Sequence, residues 1–98
     1  MKLLFEWDAN KARDNIRKHN ISFEEAKTVF NDPLLVTFPD EEHSQSEERL
    51  ISIGVSAKDK MLLVVHTERR ETEEFLLIRI ISCRKATKFE RKAYEENA

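Results

Sequence analysis

The chain begins with the spacing of a β-strand, in which every second residue is large and apolar. Leu3, Phe5 and Trp7 share one face of this strand, because successive side chains of an extended backbone point to opposite sides. Asp8 follows and can cap a helix that runs to about His19, since its carboxylate can accept hydrogen bonds from the free amides of the first turn. We therefore expect a strand followed directly by a helix.

A capping box predicts the start of a second helix shortly after the first. Ser22 and Glu25 have the spacing at which hydroxyl and carboxylate each satisfy a backbone amide of the first turn. The apolar residues that follow recur at helical spacing and mark one buried face: Phe23, Ala26, Val29 and Phe30. Pro33 cannot continue the helix and also restricts the residue before it, so we expect the helix to end near Asn31.

Beyond Pro33 the period of the pattern changes to two, which predicts four strands. They are expected at Leu34–Phe38, around Ile51–Val55, at Met61–Thr67 and at Phe75–Cys83. In the second of these, Ile51, Ile53 and Val55 are expected to point into the core. Short connections between successive strands favour an antiparallel meander of at least four strands.

The C-terminal segment carries a second capping box at Thr87 and Glu90, which predicts a final helix. The complete order is β-α-α-β-β-β-β-α. Helices gathered at the two ends of the chain pack on the sheet instead of alternating with its strands, which is the α+β class. With 98 residues, we expect a single domain over residues 1–98.

Cysteine usage and hydropathy point to the cytoplasm. Cys83 is the single cysteine, so no intrachain disulfide is expected. The first residues meet charge too early to contain the apolar segment of a signal peptide. The longest apolar runs are far shorter than a membrane span, and we expect no contact with a membrane.

Charge is unevenly distributed along the chain. Charged residues make up 37% of the sequence, above the roughly 25% of an average globular chain, although the net charge is only −2. Six cations and one carboxylate lie between Arg79 and Lys92, whereas Pro39–Glu48 carries five carboxylates and neither lysine nor arginine. This separation suits a protein that meets a polyanion on one side; two solvated faces are an equally open interpretation.

The residues offer little support for metal or cofactor chemistry. His19, His43 and His66 lie on three different predicted elements, and the sequence has no glycine-rich phosphate loop and no pair of cysteines. Nothing marks a nucleophile elbow. We therefore expect neither a metal nor a cofactor.

Cations near the ends of the predicted strands are the residues that could take part in a reaction. Arg79 interrupts an otherwise apolar strand, so it must pair with a carboxylate or open onto a polar site, because an unpartnered buried guanidinium is costly. Metal-free RNA cleavage needs a base for the 2′-hydroxyl, an acid for the leaving oxygen and fixed cations for the phosphate. Such parts are present, but many inert domains also contain them.

Several segments together resemble the BrnT family of ribonuclease toxins. The N-terminal half is similar to that family at Phe5-Glu6-Trp7-Asp8, Lys11, Asn15, Lys18-His19, Ser22–Ala26 and Val29-Phe30. The C-terminal half is similar at Asp40, His43-Ser44, Glu48-Arg49, Ile53-Gly54, Leu62–Arg69, Arg79–Thr87, Glu90-Arg91 and Tyr94. The resemblance covers essentially the whole chain, and its specificity comes from the joint occurrence of these pieces in order.

This resemblance implies a RelE-like α+β fold, an antiparallel sheet flanked by two N-terminal helices and one C-terminal helix. It implies a metal-independent, mRNA interferase-like endoribonuclease of a type II toxin–antitoxin system, which inhibits translation. The implied partner is a BrnA-like ribbon-helix-helix antitoxin, through which alone the complex would contact DNA; a homodimer within the complex is compatible with this. The implied substrate is RNA.

Carried over to this sequence, the resemblance implies a set of site residues. Arg69, Arg79 and Arg84 are the implied phosphate-binding cations, and His66 and Glu48 are acid–base or positioning candidates. The expected RNA-binding cations are Lys85, which is also an acid–base or positioning candidate, Lys88 and Arg91. The aromatic residues Trp7, Phe23 and Phe30 are expected to serve the core instead of stacking on bases.

Two questions stay open at this point. A non-catalytic binding module of the same fold, paired with an antitoxin or a DNA-binding partner, is the main alternative, while an unrelated nucleic-acid-binding regulator lacks a recognition-helix signature. The register of the last two strands is uncertain by one residue, and that residue decides whether His66 and Arg79 share a face.

Overall fold

A computed structural model describes residues 1–43 and 48–97 of the chain. Its elements in order are β1 (Lys2–Trp7), α1 (Ala9–His19), α2 (Phe23–Lys27), a 3₁₀ turn (Thr28–Asn31), β2 (Val36–Pro39), β3 (Leu50–Val55), β4 (Met61–Arg70), β5 (Phe75–Lys85) and α3 (Lys88–Glu96). The predicted order of strands and helices is confirmed, and so is the α+β class. The second predicted helix is divided, because its last turn tightens from α to 3₁₀ geometry at Thr28.

The five strands form one sheet in the order β1-β5-β4-β3-β2. Strands β2 to β5 make the predicted antiparallel meander. Strand β1 lies on the outer edge and runs parallel to β5, so the sheet is mixed instead of wholly antiparallel. The chain therefore enters at one edge of the sheet and continues through α1, α2 and the 3₁₀ turn to β2 at the other edge.

Local hydrogen bonds explain where the helices begin. Asp8 caps α1 by accepting from the Lys11 amide at 3.0 Å, and the Thr87–Glu90 capping box is complete. The box predicted at Ser22 is only half formed. Ser22 accepts from the Glu25 amide, but the Glu25 carboxylate accepts from the Ser56 hydroxyl at 2.8 Å. Glu25 thus ties α2 to the end of β3.

Each face of the sheet has its own apolar cluster. One face packs against α1, α2 and the 3₁₀ turn; its buried residues are Ile21, Phe23, Ala26, Val29, Leu62, Val64, Ile78, Ile80 and Cys83, with Trp7 and Phe30 packed against them. On the other face, Ile53, Met61, Leu63 and Tyr94 are buried, with Ile51 and Val55 beside them. The inward orientation predicted for Ile51, Ile53 and Val55 is confirmed, and the core that they join is the one beneath α3.

A β-bulge in β5 determines which side chains share a face. Val65 pairs with Ser82 and His66 pairs with Ile80, so Ile81 is an extra residue on β5. An odd separation along a regular strand places two side chains on opposite faces. Because of the bulge, Arg79 and Arg84, five positions apart, both lie on the face that carries α3.

The buried side chain of Asn15 connects α1 to β5 beside this bulge. Its Oδ1 accepts from the Cys83 amide and its Nδ2 donates to the Ile21 carbonyl, both at 3.0 Å. Strand β1 has already ended at this level, since its last residue Trp7 pairs with Ile80. Asn15 therefore supplies a hydrogen bond to β5 at a level that β1 does not reach. No helix in the described ranges is long and apolar enough to cross a membrane.

Candidate functional site

The face that carries α3, called the open face below, is only partly covered by that helix. Beyond α3 it continues as a groove and then as a cluster of polar side chains. The cluster is called the arginine end and consists of Glu6, Thr67, Arg69, Leu77 and Arg79, which line a cavity of about 300 Å³. The open face is therefore the surface on which the candidate site must be assessed.

Strand register brings the arginine end together. Thr67 of β4 pairs with Arg79 of β5, and Glu6 of β1 pairs with the same arginine on its other side. Arg69 is two residues beyond Thr67 and therefore shares its face. Three neighbouring strands thus place two guanidinium groups and a hydroxyl on one polar surface.

The carboxylates beside these arginines hold them weakly. Arg79 donates one hydrogen bond to Glu6 at 3.1 Å, and their side chains are 46% and 43% exposed. Arg69 donates to Glu71 at 2.7 and 3.3 Å, with 71% of its own side chain exposed. Exposed pairs of this kind contribute about 0–1 kcal/mol, so a phosphate can compete for both guanidinium groups. Both alternatives considered for Arg79 are found in the structure: it has a carboxylate partner, Glu6, and it also opens onto a polar site.

Arg84 is engaged more firmly than the other two arginines. It donates to both carboxylate oxygens of Glu90, at 2.7 and 2.8 Å. This paired hydrogen bond, helped by the Thr87 amide, lowers the pKa of Glu90 to about 2 despite partial burial. Arg84 therefore connects the end of β5 to the first turn of α3, although it lies on the open face.

His66 lies on the opposite side of the sheet from the arginine end. It is fully buried, its Nε2 is 2.7 Å from the Ser52 hydroxyl, and its ring meets Phe30 edge-on at 5.0 Å. Burial lowers the pKa of His66 to about 4, with a smaller opposing contribution from the Thr67 backbone. The structure does not bring this imidazole to the arginines.

The spatial order of a hydrolase triad is found in Ser52, His66 and Glu68. The burial of Ser52 and His66 excludes that chemistry. His66 Nδ1 is 3.9 Å from a Glu68 carboxylate oxygen, too far for a hydrogen bond. Ser52 and His66 are both 0% exposed, so no substrate can reach the hydroxyl. The Ser52 hydroxyl instead shares a hydrogen bond with Thr37 on β2 at 2.7 Å.

Glu48 and Glu68 form a pair of carboxylates that act on one another at the edge of β4. Burial raises the pKa of Glu68, and the negative charge of Glu48 raises it further. Strand β3 begins at Leu50 opposite His66, so among the described residues no strand pairs with β4 beyond His66 on this side. Glu48 was a candidate from the sequence but Glu68 was not, because the strand was predicted to end at Thr67, whereas β4 continues to Arg70.

The cations Lys85, Lys88 and Arg91 lie at the other end of β5. Lys85 and Arg91 border a small cavity of about 220 Å³ together with the β3–β4 turn, and Lys88 begins α3. They are separated from Arg79 by the C-terminal half of β5. The structure thus divides the predicted site residues into an arginine end, a carboxylate pair, the Arg84 contact and this distal basic group.

Two histidines that sequence analysis left out border the groove on the open face. His43 Nδ1 is 3.2 Å from the Asp40 carboxylate, and His19 reaches the groove from the end of α1. The distance between His19 and His43 along the sequence did not indicate that both border one groove, because their proximity depends on how α1 crosses the sheet.

Across residues 1–43 and 48–97, no three His, Cys, Asp or Glu side chains form a group able to hold a metal. Cys83 is buried in the core, and burial raises the pKa of its thiol to about 12.

Fold and open face define a small α+β protein whose mixed sheet presents arginines on an exposed surface. A family model described as the ribonuclease toxin BrnT of type II toxin–antitoxin systems matches residues 7–90. The chain belongs to this family, as its sequence motifs predicted.

A solved structure supports the fold independently. The chain is similar to the crystal structure of the ribonuclease toxin BrnT of Brucella abortus, with a TM-score of 0.63 and 21% sequence identity. The match covers 90% of this chain and 100% of that one. Comparison with curated proteins found no match.

Proposed function

We propose that this chain is a metal-independent, mRNA interferase-like endoribonuclease that inhibits translation and is neutralised by a BrnA-like ribbon-helix-helix antitoxin. The observation that carries the proposal is the arginine end, where Arg69 and Arg79 share an exposed polar surface with Thr67. Arginine pairs with phosphate through two parallel hydrogen bonds. Membership of a ribonuclease toxin family makes RNA the polyanion to consider first.

The proposed reaction is attack of a ribose 2′-hydroxyl on the adjacent phosphorus. A base takes the 2′-proton, the bond from phosphorus to the 5′-oxygen breaks, and an acid protonates that oxygen, leaving a 2′,3′-cyclic phosphate. Arg69 and Arg79 would stabilise the negative charge that grows on the non-bridging oxygens. No step in this scheme calls on a metal.

Glu48 is the proposed group for proton transfer, as the resemblance to the family implies. Its neighbour Glu68, whose pKa is raised by burial and by the charge of Glu48, stands between Thr67 and Arg69 on β4 and therefore points away from the arginines, to the face of His66. Neither Glu68 nor the buried His66 has a role in proton transfer in the proposal.

The distal basic group is proposed to hold RNA outside the reaction centre. Lys85, Lys88 and Arg91 are exposed, and cations in such positions attract a polyanion in a manner that weakens with salt. Arg84 is proposed to serve mainly as the connection between β5 and α3.

Neighbouring arginines of β4 provide a sharp test of the arginine end. Arg69 and Arg70 are adjacent on the strand and point to opposite faces. Replacing Arg69 or Arg79 by alanine should slow RNA cleavage about a hundredfold, the effect of removing one donor from a charged transition state. Arg70→Ala, which removes the same charge from the other face, should cleave at close to the wild-type rate. If all three variants lost the same fraction of the cleavage rate, the effect would depend on net charge alone, and this result would contradict the proposal.

A non-catalytic binding module is the second candidate, favoured by the carboxylate partner that each of the three arginines has. In that case the wild-type chain would bind its antitoxin but would not cleave RNA. Assaying the purified wild-type chain for both properties separates the two functions.

A further inference from the structure

The groove beside α3 differs in character from the arginine end of the same face. It has a volume of about 620 Å³, and its walls include Phe38, Ile51, Leu63 and Val65. Phe89 stands on its α3 side with 84% of its surface exposed, although α3 turns Tyr94 into the core. An aromatic side chain left in water beside an apolar groove is typical of a surface that a partner covers.

The rim of this groove on the side of β2 is acidic. Asp40 and Glu42 line it there; Asp40 pairs with His43, and Glu42 is exposed. On the α3 side, Arg84 and Glu90 border the groove and pair with one another. The groove thus offers an apolar strip beside an acidic rim.

These charges make RNA a poor occupant. A strand lying in the groove would bring its phosphates next to Asp40 and Glu42, where like charges repel. An amphipathic protein segment with basic residues on one flank would match the acidic rim. RNA is better accommodated at the arginine end, where exposed guanidinium groups stand beside a polar surface.

The geometry of the sheet favours a helix as the occupying segment. Five strands at about 4.8 Å spacing make a layer about 20 Å across, whereas one helix is only about 10 Å wide. The opposite face is covered by α1, α2 and the 3₁₀ turn, whereas α3 is the only helix that the described part of the chain places on the open face. A second helix beside α3 would complete this layer.

We infer that the α3 groove is the docking site of the antitoxin, which places an amphipathic helix there with its apolar side on Phe89 and Val65. This inference rests on the proposed function, since it assigns a place to the antitoxin. Apolar residues at helical spacing would contact the floor, and basic residues would face Asp40 and Glu42. A helix bound there lies on the same face as Arg79, and this position is how we expect the antitoxin to hinder the approach of RNA to the reaction centre.

The test uses the full chain and the protein encoded by the gene next to its own, purified separately and titrated by calorimetry. Phe89→Ala removes an exposed side chain, and Glu42→Lys reverses one charge of the acidic rim. Ile16→Ala and Glu24→Lys are the matched controls: they make the same kinds of change at exposed positions of α1 and α2. Thermal unfolding of each variant verifies that the fold is retained.

We expect both groove variants to weaken the dissociation constant at least tenfold, whereas both controls leave it unchanged. Phe89→Ala should also cleave RNA at the wild-type rate when no antitoxin is present. Unchanged affinity in both groove variants would overturn the inference and leave the antitoxin partnership standing. Failure of the wild-type chain to bind the neighbouring protein would overturn that partnership, and this inference with it.

Two further results would assign the groove to another occupant. If Phe89→Ala lost RNA cleavage but kept its affinity for the antitoxin, the groove would belong to RNA. If the wild-type chain sedimented as a dimer and Phe89→Ala as a monomer with unchanged affinity, it would belong to a second copy of this chain. Either result would overturn the inference.

Discussion

His66 holds a neutral imidazole inside the core, and this has a consequence for stability against acid. The unfolded chain binds a proton at this residue below about pH 6.5, whereas burial lowers the pKa in the folded state to about 4. Between these values protons favour the unfolded state. The difference of pKa corresponds to about 3 kcal/mol at most.

We therefore expect the free energy of unfolding to decrease as the pH falls from 6.5 to 4, and the decrease attributable to His66 to end near pH 4. His66→Gln removes the titrating group, so its stability should depend less on pH in this window even if the variant is less stable throughout. Denaturant unfolding of both proteins at several pH values provides the measurement. Parallel curves for the two proteins would show that His66 does not titrate in this way; Glu90, with a pKa of about 2, acts at lower pH.

At the residue scale, alternation in the sequence singled out Arg79, which interrupts an apolar strand, whereas the resemblance to the family supplied Arg69 and Glu48. The face on which each side chain lies was not visible, because it depends on one extra residue, Ile81, in β5. His66 and Arg79 were candidates for one site and lie on opposite faces for this reason.

At the scale of elements, polar side chains join the helices to the sheet. Asn15 holds α1 against β5 by two buried hydrogen bonds. Replacing it by alanine would leave the Cys83 amide and the Ile21 carbonyl without this partner, at a cost of about 3 kcal/mol. Thermal unfolding should show a loss on the order of 15 °C, whereas Asn10→Ala on the exposed side of α1 should lose little. A small loss for Asn15→Ala would mean that water replaces both bonds.

The contact between Arg84 and Glu90 joins β5 to α3 and can be measured as a coupling. Arg84→Ala and Glu90→Gln should each destabilise the fold, and the double variant should lose less than the sum of both. Because Arg84 is 40% exposed, solvent reduces the expected coupling to about 1 kcal/mol. Glutamine keeps an oxygen for the Thr87 amide, so the helix cap survives the change. Strictly additive losses would show that the ion pair is only a surface contact.

Elements were predicted well where the signal was local. Capping residues marked the starts of α1 and α3, because a cap is a contact between neighbours in sequence. The parallel pairing of β1 with β5 was missed, since it depends on the path of the chain across the sheet. The half-formed box at Ser22 was missed for the same reason, because Glu25 prefers a partner 31 residues away.

At the scale of the whole molecule, the separation of charge in the sequence becomes a separation of surfaces. The acidic stretch after β2 borders the α3 groove through Asp40 and Glu42. The basic stretch contributes Arg79 to the arginine end and Lys85 to the distal basic group. The sequence indicated both charge clusters, but the surfaces that they form follow from the meander.

Cleavage by the purified chain should persist in the presence of EDTA. The proposed chemistry uses arginines and a carboxylate, and the described residues contain no group suited to a metal ion. The measurement is the rate of RNA cleavage with and without chelator, beside a magnesium-dependent nuclease that loses activity in the same buffer. If EDTA abolished cleavage and Mg²⁺ restored it, the proposed mechanism would be wrong.

The bulge in β5 also places a constraint on the gene. Deletion of the codon for Ile81 would remove the bulge and leave Arg79 and Arg84 four positions apart on a regular strand, still on one face, whereas a deletion that kept the bulge would place them on opposite faces. A deletion in the β4–β5 turn shifts no residue of either strand to the other face. Among descendants of this gene, changes of length should therefore accumulate in that turn, while the interval between the two arginines should change by one residue only where the bulge is gained or lost with it.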